Sequence, residues 1–480
     1  MKKGVRIALI LGILILGLAL MIFGLTLRGK FWSGCYFNYE VNADKETCTI
    51  TKCIPLGRKE ITVPETIGRY RVSEVGSYAF ANRTKVTAIT LPDDIESIGM
   101  GAFYECESLQ KIKIPDSVTS VGSYAFFGCE NLTSIVLPEN ATEIGARVFE
   151  GCTSITEASV PASAIATLPS ENIIMLTINS GTDIGDYAFK NFSKLESITL
   201  APSIEKIGTG AFNGCKNITT ATAPASVVSH IPRENLVRVV INGGTHIPER
   251  ACYYFNHLTS ITLPQSIISI GDRAFEGCYQ LAEIYNFSPI EIEIGASDNG
   301  GIARYALHIS TSPDESRKTL VDENGYLFYE NDDACYLLGY MGKETKLTLP
   351  EGPNGKDYLI RAYAFYMHAS LTSVTFSESV VKIEENAFAH CGSIETLTFP
   401  NSLVSIGENA FYECDELTQI SFGKNITTVG AHAFDDCDNL AHIAFRGATA
   451  EWENVELGSY WLFYAPVTEI VCTDGTVNLK

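Results

Sequence analysis

Apolar and polar positions recur along this chain with a long period. A branched aliphatic residue, then Gly or a substitute, two variable residues and usually Ala-Phe return twelve times. They read Val75-Gly76-Ser77-Tyr78-Ala79-Phe80, then Ile98 to Phe103, Val121 to Phe126 and Ile144 to Phe149, with successive phenylalanines 23 residues apart. Such a period defines a solenoid, because one unit cannot bury its apolar face alone and must stack on its neighbours. At nine and eleven residues after each Phe stand apolar residues, often followed by Pro, as in Ile112-Lys113-Ile114-Pro115 and Ile135-Val136-Leu137-Pro138. Alternation of this kind predicts a strand with one buried face, ended by the Pro. The Ile-Gly step predicts a short second strand or bend. The Ala-Phe-x-x-Cys stretch after it predicts a single helical turn or tight bend with Phe inward.

The array is uneven. Phe149 to Phe189 is 40 residues, Phe189 to Phe212 is 23, and the same pair of steps leads to Cys252 and then Phe275. The two long units match each other 63 residues apart, Val160-Pro161-Ala162-Ser163 against Ala223-Pro224-Ala225-Ser226. Each adds one compact coil, with a strand predicted at Ile173 to Ile178 and at Leu236 to Ile241. Between Phe275 and Phe365 lie 90 residues in which the repeat is lost. There Lys318 to Tyr340 reads as a hairpin or meander, with Asn324-Gly325 as a type I′ turn. Cys35 to Cys53 reads as another hairpin, so a β cap is expected to open each of two arrays. The expected organisation is an N-terminal cap at 31–60, a first array at 61–285, a central insert at 286–346, a second array at 347–446 and a C-terminal cap at 447–480.

Residues Ile7 to Leu27 are an unbroken apolar run of 21, preceded by Lys2, Lys3 and Arg6 and followed by Arg28 and Lys30. A helix of that length rises about 30 Å, the thickness of a bilayer core. The expectation for residues 1–30 is a short cytoplasmic tail and a signal-anchor, with everything after Lys30 extracellular, or secreted if the segment is cleaved. The net charge of −21 argues against nucleic acid. Eight of the fourteen cysteines stand three residues after a Phe, at Cys106, Cys129, Cys152, Cys215, Cys278, Cys391, Cys414 and Cys437. That single slot reads as a buried ladder of free thiols; Cys48 and Cys53 leave one disulfide open.

The units Ile98-Gly99, Ala102-Phe103, Cys106, Leu109, Ile112, Ile114-Pro115 and Ile406-Gly407, Ala410-Phe411, Cys414, Leu417, Ile420 resemble the BspA-like class of leucine-rich repeats. The resemblance implies an α/β leucine-rich-repeat solenoid of a bacterial surface protein, strand-rich with short helical turns. In this chain one transmembrane helix is expected to precede it and a small β cap or hairpin segment to interrupt it. It also implies that some members bind host matrix proteins or other cells. No metal-ligand spacing, nucleophile elbow, phosphate loop or dinucleotide fingerprint occurs, so the reading is non-enzymatic, with no cofactor and no metal. The candidate binding face is the outward side of the longer strands, read as the concave face of the solenoid. Eight and ten residues after the Phe it carries Lys111, Lys113, Ser134, Ser197, Thr199, Thr220, Thr222, Ser260, Thr262, Ser373, Thr375, Thr396, Thr398, Gln419 and Ser421. Its expected partner is an extracellular protein or glycan; the alternative role is a structural surface spacer without a dedicated ligand.

Overall fold

The computed structural model describes residues 29–312, 318–322, 324–332 and 334–479. The run 7–27 expected to span the membrane lies outside them; among the described residues no helix is long and apolar enough to cross a bilayer. The chain divides into two compact units, Met1–Asn217 and Ile218–Lys480.

In the first unit an antiparallel hairpin, Cys35–Val41 with Thr47–Ile54, passes into a parallel ladder through Tyr70–Val75, Ser97–Ile98, Ser120–Val121 and Glu143–Ile144. These short strands carry the Ile-Gly steps. The longer strands form separate ladders: Glu60–Thr62, Ala88–Thr90 and Lys111–Lys113, then Ser134–Val136, Glu157–Pro161, Met175–Ser180 and Ser197–Leu200. The extra coil thus contributes Met175–Ser180, two residues later than the pattern predicts.

The second unit repeats the plan. Thr220–Pro224, Arg238–Gly243, Ser260–Leu263, Glu283–Asn286 and His308–Ser310 pair in parallel. A meander of Thr319–Val321, Tyr326–Glu330 and Cys335–Tyr340 follows. Its last strand continues in parallel through Tyr358–Ile360, Val380–Ile383, Ser405–Ile406, Thr428–Val429 and Glu456–Leu457. The longer strands beside them are Lys346–Thr348 with Ser373–Thr375, then Thr396–Thr398, Gln419–Phe422, His442–Phe445 and Glu469–Val471.

Of the two forms expected for the Ala-Phe corner, the structure takes the tight bend and not the helical turn. Backbone N–H groups of Tyr78, Phe80 and Asn82 donate to the carbonyls of Met100, Ala102 and Tyr104 in the next coil at 2.7–2.9 Å. Committing alternate amides between coils leaves them no i−4 partner, and two left-handed residues turn the chain instead. They stand two before and two after the Phe, as at Tyr78 and Asn82 (φ 56° and 58°) or Asn409 and Glu413 (φ 52° and 53°). Among the described residues the one α-helical turn is Thr449–Trp452.

Each bend aims its Phe inward, where the rings stack coil on coil. Centroids of Phe80, Phe103, Phe126 and Phe149 follow one another at 5.2, 5.0 and 5.5 Å. In the second unit Phe365, Phe388, Phe411 and Phe434 follow at 4.7, 5.1 and 5.2 Å. All these rings are buried, and removing one costs about 3–5 kcal/mol. The cysteine slot lies beside them. Each thiol donates to the carbonyl of the Phe-slot residue one coil earlier, Cys106 to Phe80 at 3.1 Å, Cys152 to Phe126 at 3.0 Å and Cys391 to Phe365 at 3.1 Å. A side chain small enough for the gap thus also satisfies a buried acceptor. All fourteen cysteines are buried free thiols, Cys48 and Cys53 included.

Candidate functional site

Parallel pairing in register lines the outward residues into rows. In the first unit Lys111 and Lys113 are exposed, Lys113 lying 3.7 Å from Asp93 in a solvent-exposed ion pair worth little. Ser134 is exposed and stands in one row with Glu157, Met175 and Ser197; the parallel row holds Val136, Ser159, Thr177 and Thr199. Ser197 and Thr199 are half-buried. The extra coil therefore interleaves Met175 and Thr177 among the hydroxyls. The face is more mixed than the list of predicted residues implies.

In the second unit Thr220 and Thr222 are half-buried and pair with Arg238 and Val240. Ser260, predicted to be outward and accessible, is instead 1% exposed, and Thr262 is half-buried. Its row neighbour Glu283 is fully buried and binds the meander. One Glu283 carboxylate oxygen accepts the backbone N–H of Lys318 at 2.7 Å, and the other accepts the N–H and hydroxyl of Thr319 at 3.2 and 2.7 Å. Leu327, Tyr329 and Leu338 of the meander bury with Ala282, against partly buried Val237 and Leu307. This part of the predicted face is covered because a segment some sixty residues further along the chain folds back over it.

The second array's longer strands remain open. Thr375, Thr396, Thr398 and Gln419 are exposed, with Ser373 and Ser421 half-buried. Thr396 stands beside Gln419 and then His442, while Thr398 stands beside Ser421 and then Ala444. Lys346 and Thr348 flank Ser373 and Thr375. Sequence reasoning left out Glu157, Glu283, Tyr285 and His442, although the same offsets from Phe149, Phe275 and Phe434 reach them. Among the described residues no cluster of three or more His, Cys, Asp or Glu is placed to hold a metal ion.

Stacked coils with parallel ladders and inward phenylalanines define a strand-rich leucine-rich-repeat solenoid in each unit. The BspA type leucine rich repeat region matches residues 59–171, 167–236, 245–296 and 345–468, more than half of the chain, and the chain belongs to that family. The matched family is a repeat region, not a catalytic one. Among solved structures, the chain is similar to a leucine rich cell surface protein from Faecalibacterium prausnitzii, 23% identical over 89% of this chain and 97% of that one, TM-score 0.28. A leucine-rich repeat protein from Bacteroides ovatus is 23% identical over 90% and 97%, TM-score 0.28. The leucine rich repeat protein of T. pallidum is 22% identical over 51% and 87%, TM-score 0.25. Likeness of this size carries no functional information. The search of curated proteins finds no match.

Proposed function

We propose that this chain is a cell-surface recognition module whose outward strand rows contact an extracellular protein or glycan, on host matrix or on another cell. The observation that carries the reading is the open face of the second array. There Thr375, Thr396, Thr398 and Gln419 are exposed on consecutive coils, above strands whose inward side is taken up by packing. Short hydroxyl and amide groups on a rigid ladder lose little side-chain entropy when they bind, and small contacts on adjacent coils sum. Lys111, Lys113, Ser134, Ser197 and Thr199 offer a corresponding face in the first unit. In this reading residues 7–27 anchor the chain in the membrane. Segments 31–60 and 286–346 open the arrays at 61–285 and 347–446, and 447–480 closes the second.

The test is binding of the chain to immobilised matrix proteins and intact cells, with Thr375, Thr396, Thr398 and Gln419 changed together to Lys. Saturable binding that weakens at least tenfold in this variant, at an unchanged melting temperature, is the expected result. Saturable binding indifferent to the substitutions overturns the strand-face reading, and no saturable binding at all from a folded chain assigns the protein to the structural-spacer role.

A further inference from the structure

One cavity within the second unit stands apart from the strand rows. It has a volume of about 330 Å³, in the range of small-ligand sites, and is partly open. It forms where the coil of Tyr363–His368 lies against the coils of Tyr254–His257 and Tyr279–Gln280. Tyr279 and Tyr363 stack at 4.4 Å with planes 8° apart. Tyr366 meets Tyr279 edge-on at 5.4 Å, and Tyr254 does so at 6.4 Å. Tyr305 adds a further edge contact to the stacked pair, at 5.5 Å from Tyr279 and 5.4 Å from Tyr363.

Three polar side chains at this cavity depart from what the repeat does elsewhere. Five residues after the Phe slot, Asn131, Asn217 and Asn439 donate to carbonyls of the coil before, at 2.7–2.8 Å. In that slot His257 Nδ1 and Gln280 Oε1 are buried without a hydrogen bond of normal geometry, although the two side chains lie close enough to influence each other. Gln280 is more than nine-tenths buried and reaches the Ala364 carbonyl only at 3.5 Å through its Nε2. His368 occupies the cysteine slot, and its Nδ1 is likewise buried without a partner. Leaving such atoms unmatched is unfavourable. All three line one cavity with the tyrosines, and among the described residues its lining holds no carboxylate, Lys or Arg.

We propose that this cavity binds a neutral pyranose ring of a glycan, with the tyrosine rings taking its C–H faces and Gln280, His257 and His368 taking its hydroxyls. A pyranose offers apolar faces and hydroxyls that both donate and accept, which is what the aromatic walls and unmatched atoms call for. A quaternary ammonium would leave Gln280 Oε1 and the imidazole nitrogens unmatched. A phosphorylated ligand meets no cation. Burial holds the His257 imidazole below its ordinary range, with Gln280 opposing the shift and His368 adding to it. The proposal is independent of the strand-face reading, since none of the residues changed to Lys above lines the cavity.

The test is a titration of the full-length protein with neutral hexose and N-acetylhexosamine oligosaccharides, with choline and adenosine 5′-monophosphate as controls. The expected result is saturable oligosaccharide binding, weakened at least tenfold by His368→Phe and by Tyr366→Ala. His368→Phe is compatible with the fold, because Phe192 and Phe255 fill the same slot in other coils. The Lys variant of Thr375, Thr396, Thr398 and Gln419 should bind the oligosaccharide as the parent does. No oligosaccharide binding by the folded parent, binding indifferent to His368→Phe, or saturation by choline or the nucleotide alone each overturns the proposal.

Discussion

The glycine of the Ile-Gly step serves close approach between coils. A Cβ at Gly122 would lie 2.5 Å from the backbone nitrogen of Met100, whereas one at Gly185 would meet nothing within 4 Å. The difference follows from the extra coil before Gly185, which turns through Ala162–Thr167 and brings no Ala-Phe corner beneath it. In the second copy that freedom is used, and Pro248 stands where the Gly would be. Gly122→Ala is therefore expected to cost about 2–3 kcal/mol, while Gly185→Ala is near neutral. Thermal melts of the two variants side by side check the contrast. The bend residues have the opposite requirement. Glu105 holds φ 50°, in the left-handed region where a side chain is strained. Glu105→Gly should raise stability by about 0.5–1 kcal/mol, read as a higher melting temperature.

Among the elements, the first strand of the meander is fastened at its start through one carboxylate. Glu283 accepts three hydrogen bonds from Lys318 and Thr319, and the hydroxyl of Tyr285 reaches it at 3.2 Å. Glu283→Ala orphans these donors and is expected to cost about 2–4 kcal/mol. Hydrogen exchange should then show protection lost first in Thr319–Val321 and Tyr326–Glu330 while the Phe-stacked coils keep theirs. Equal loss everywhere would contradict the idea that the meander is held locally. The strands themselves were legible in the chain, because apolar alternation nine and eleven residues after each Phe has a period of two. The corner was less so. Phe and Cys three residues apart fall on one side in a helical turn and in a bend alike, and the left-handed sites hold Tyr, Arg, Glu and His as well as Gly. Burial of Ser260 has no local signature, for the strands that fold back here, Tyr326–Glu330 and Cys335–Tyr340, are distant in the chain. The tyrosine cavity is equally hidden, since Tyr279 and Tyr363 meet across 84 positions of the chain.

At the scale of the whole molecule, the thiols couple folding to alkaline pH. Burial pushes Cys106 up to about 11 and Cys215, Cys278 and Cys391 up to about 12, against an ordinary value of 9.0. The unfolded chain therefore releases these protons before the folded one does. Their contribution is full below pH 9, declines from about pH 9 upward, and is lost as pH passes the folded values near 11 to 12. Because equivalent thiols recur along both units, the effects add. Urea unfolding at pH 7.5 and pH 10.5 should show a clear drop in midpoint at the higher pH. Buried tyrosines titrate in the same direction, Tyr326 being pushed up to about 12 by burial, so the drop alone does not isolate the thiols. A variant with Cys106, Cys215, Cys278 and Cys391 changed to Ala separates the two. It should be weaker at pH 7.5, having lost packing and the Sγ–H to carbonyl bonds, yet show a smaller loss between the two pH values. The same loss as the parent would mean that ionisation of the ladder does not govern the alkaline limit and that the tyrosines do.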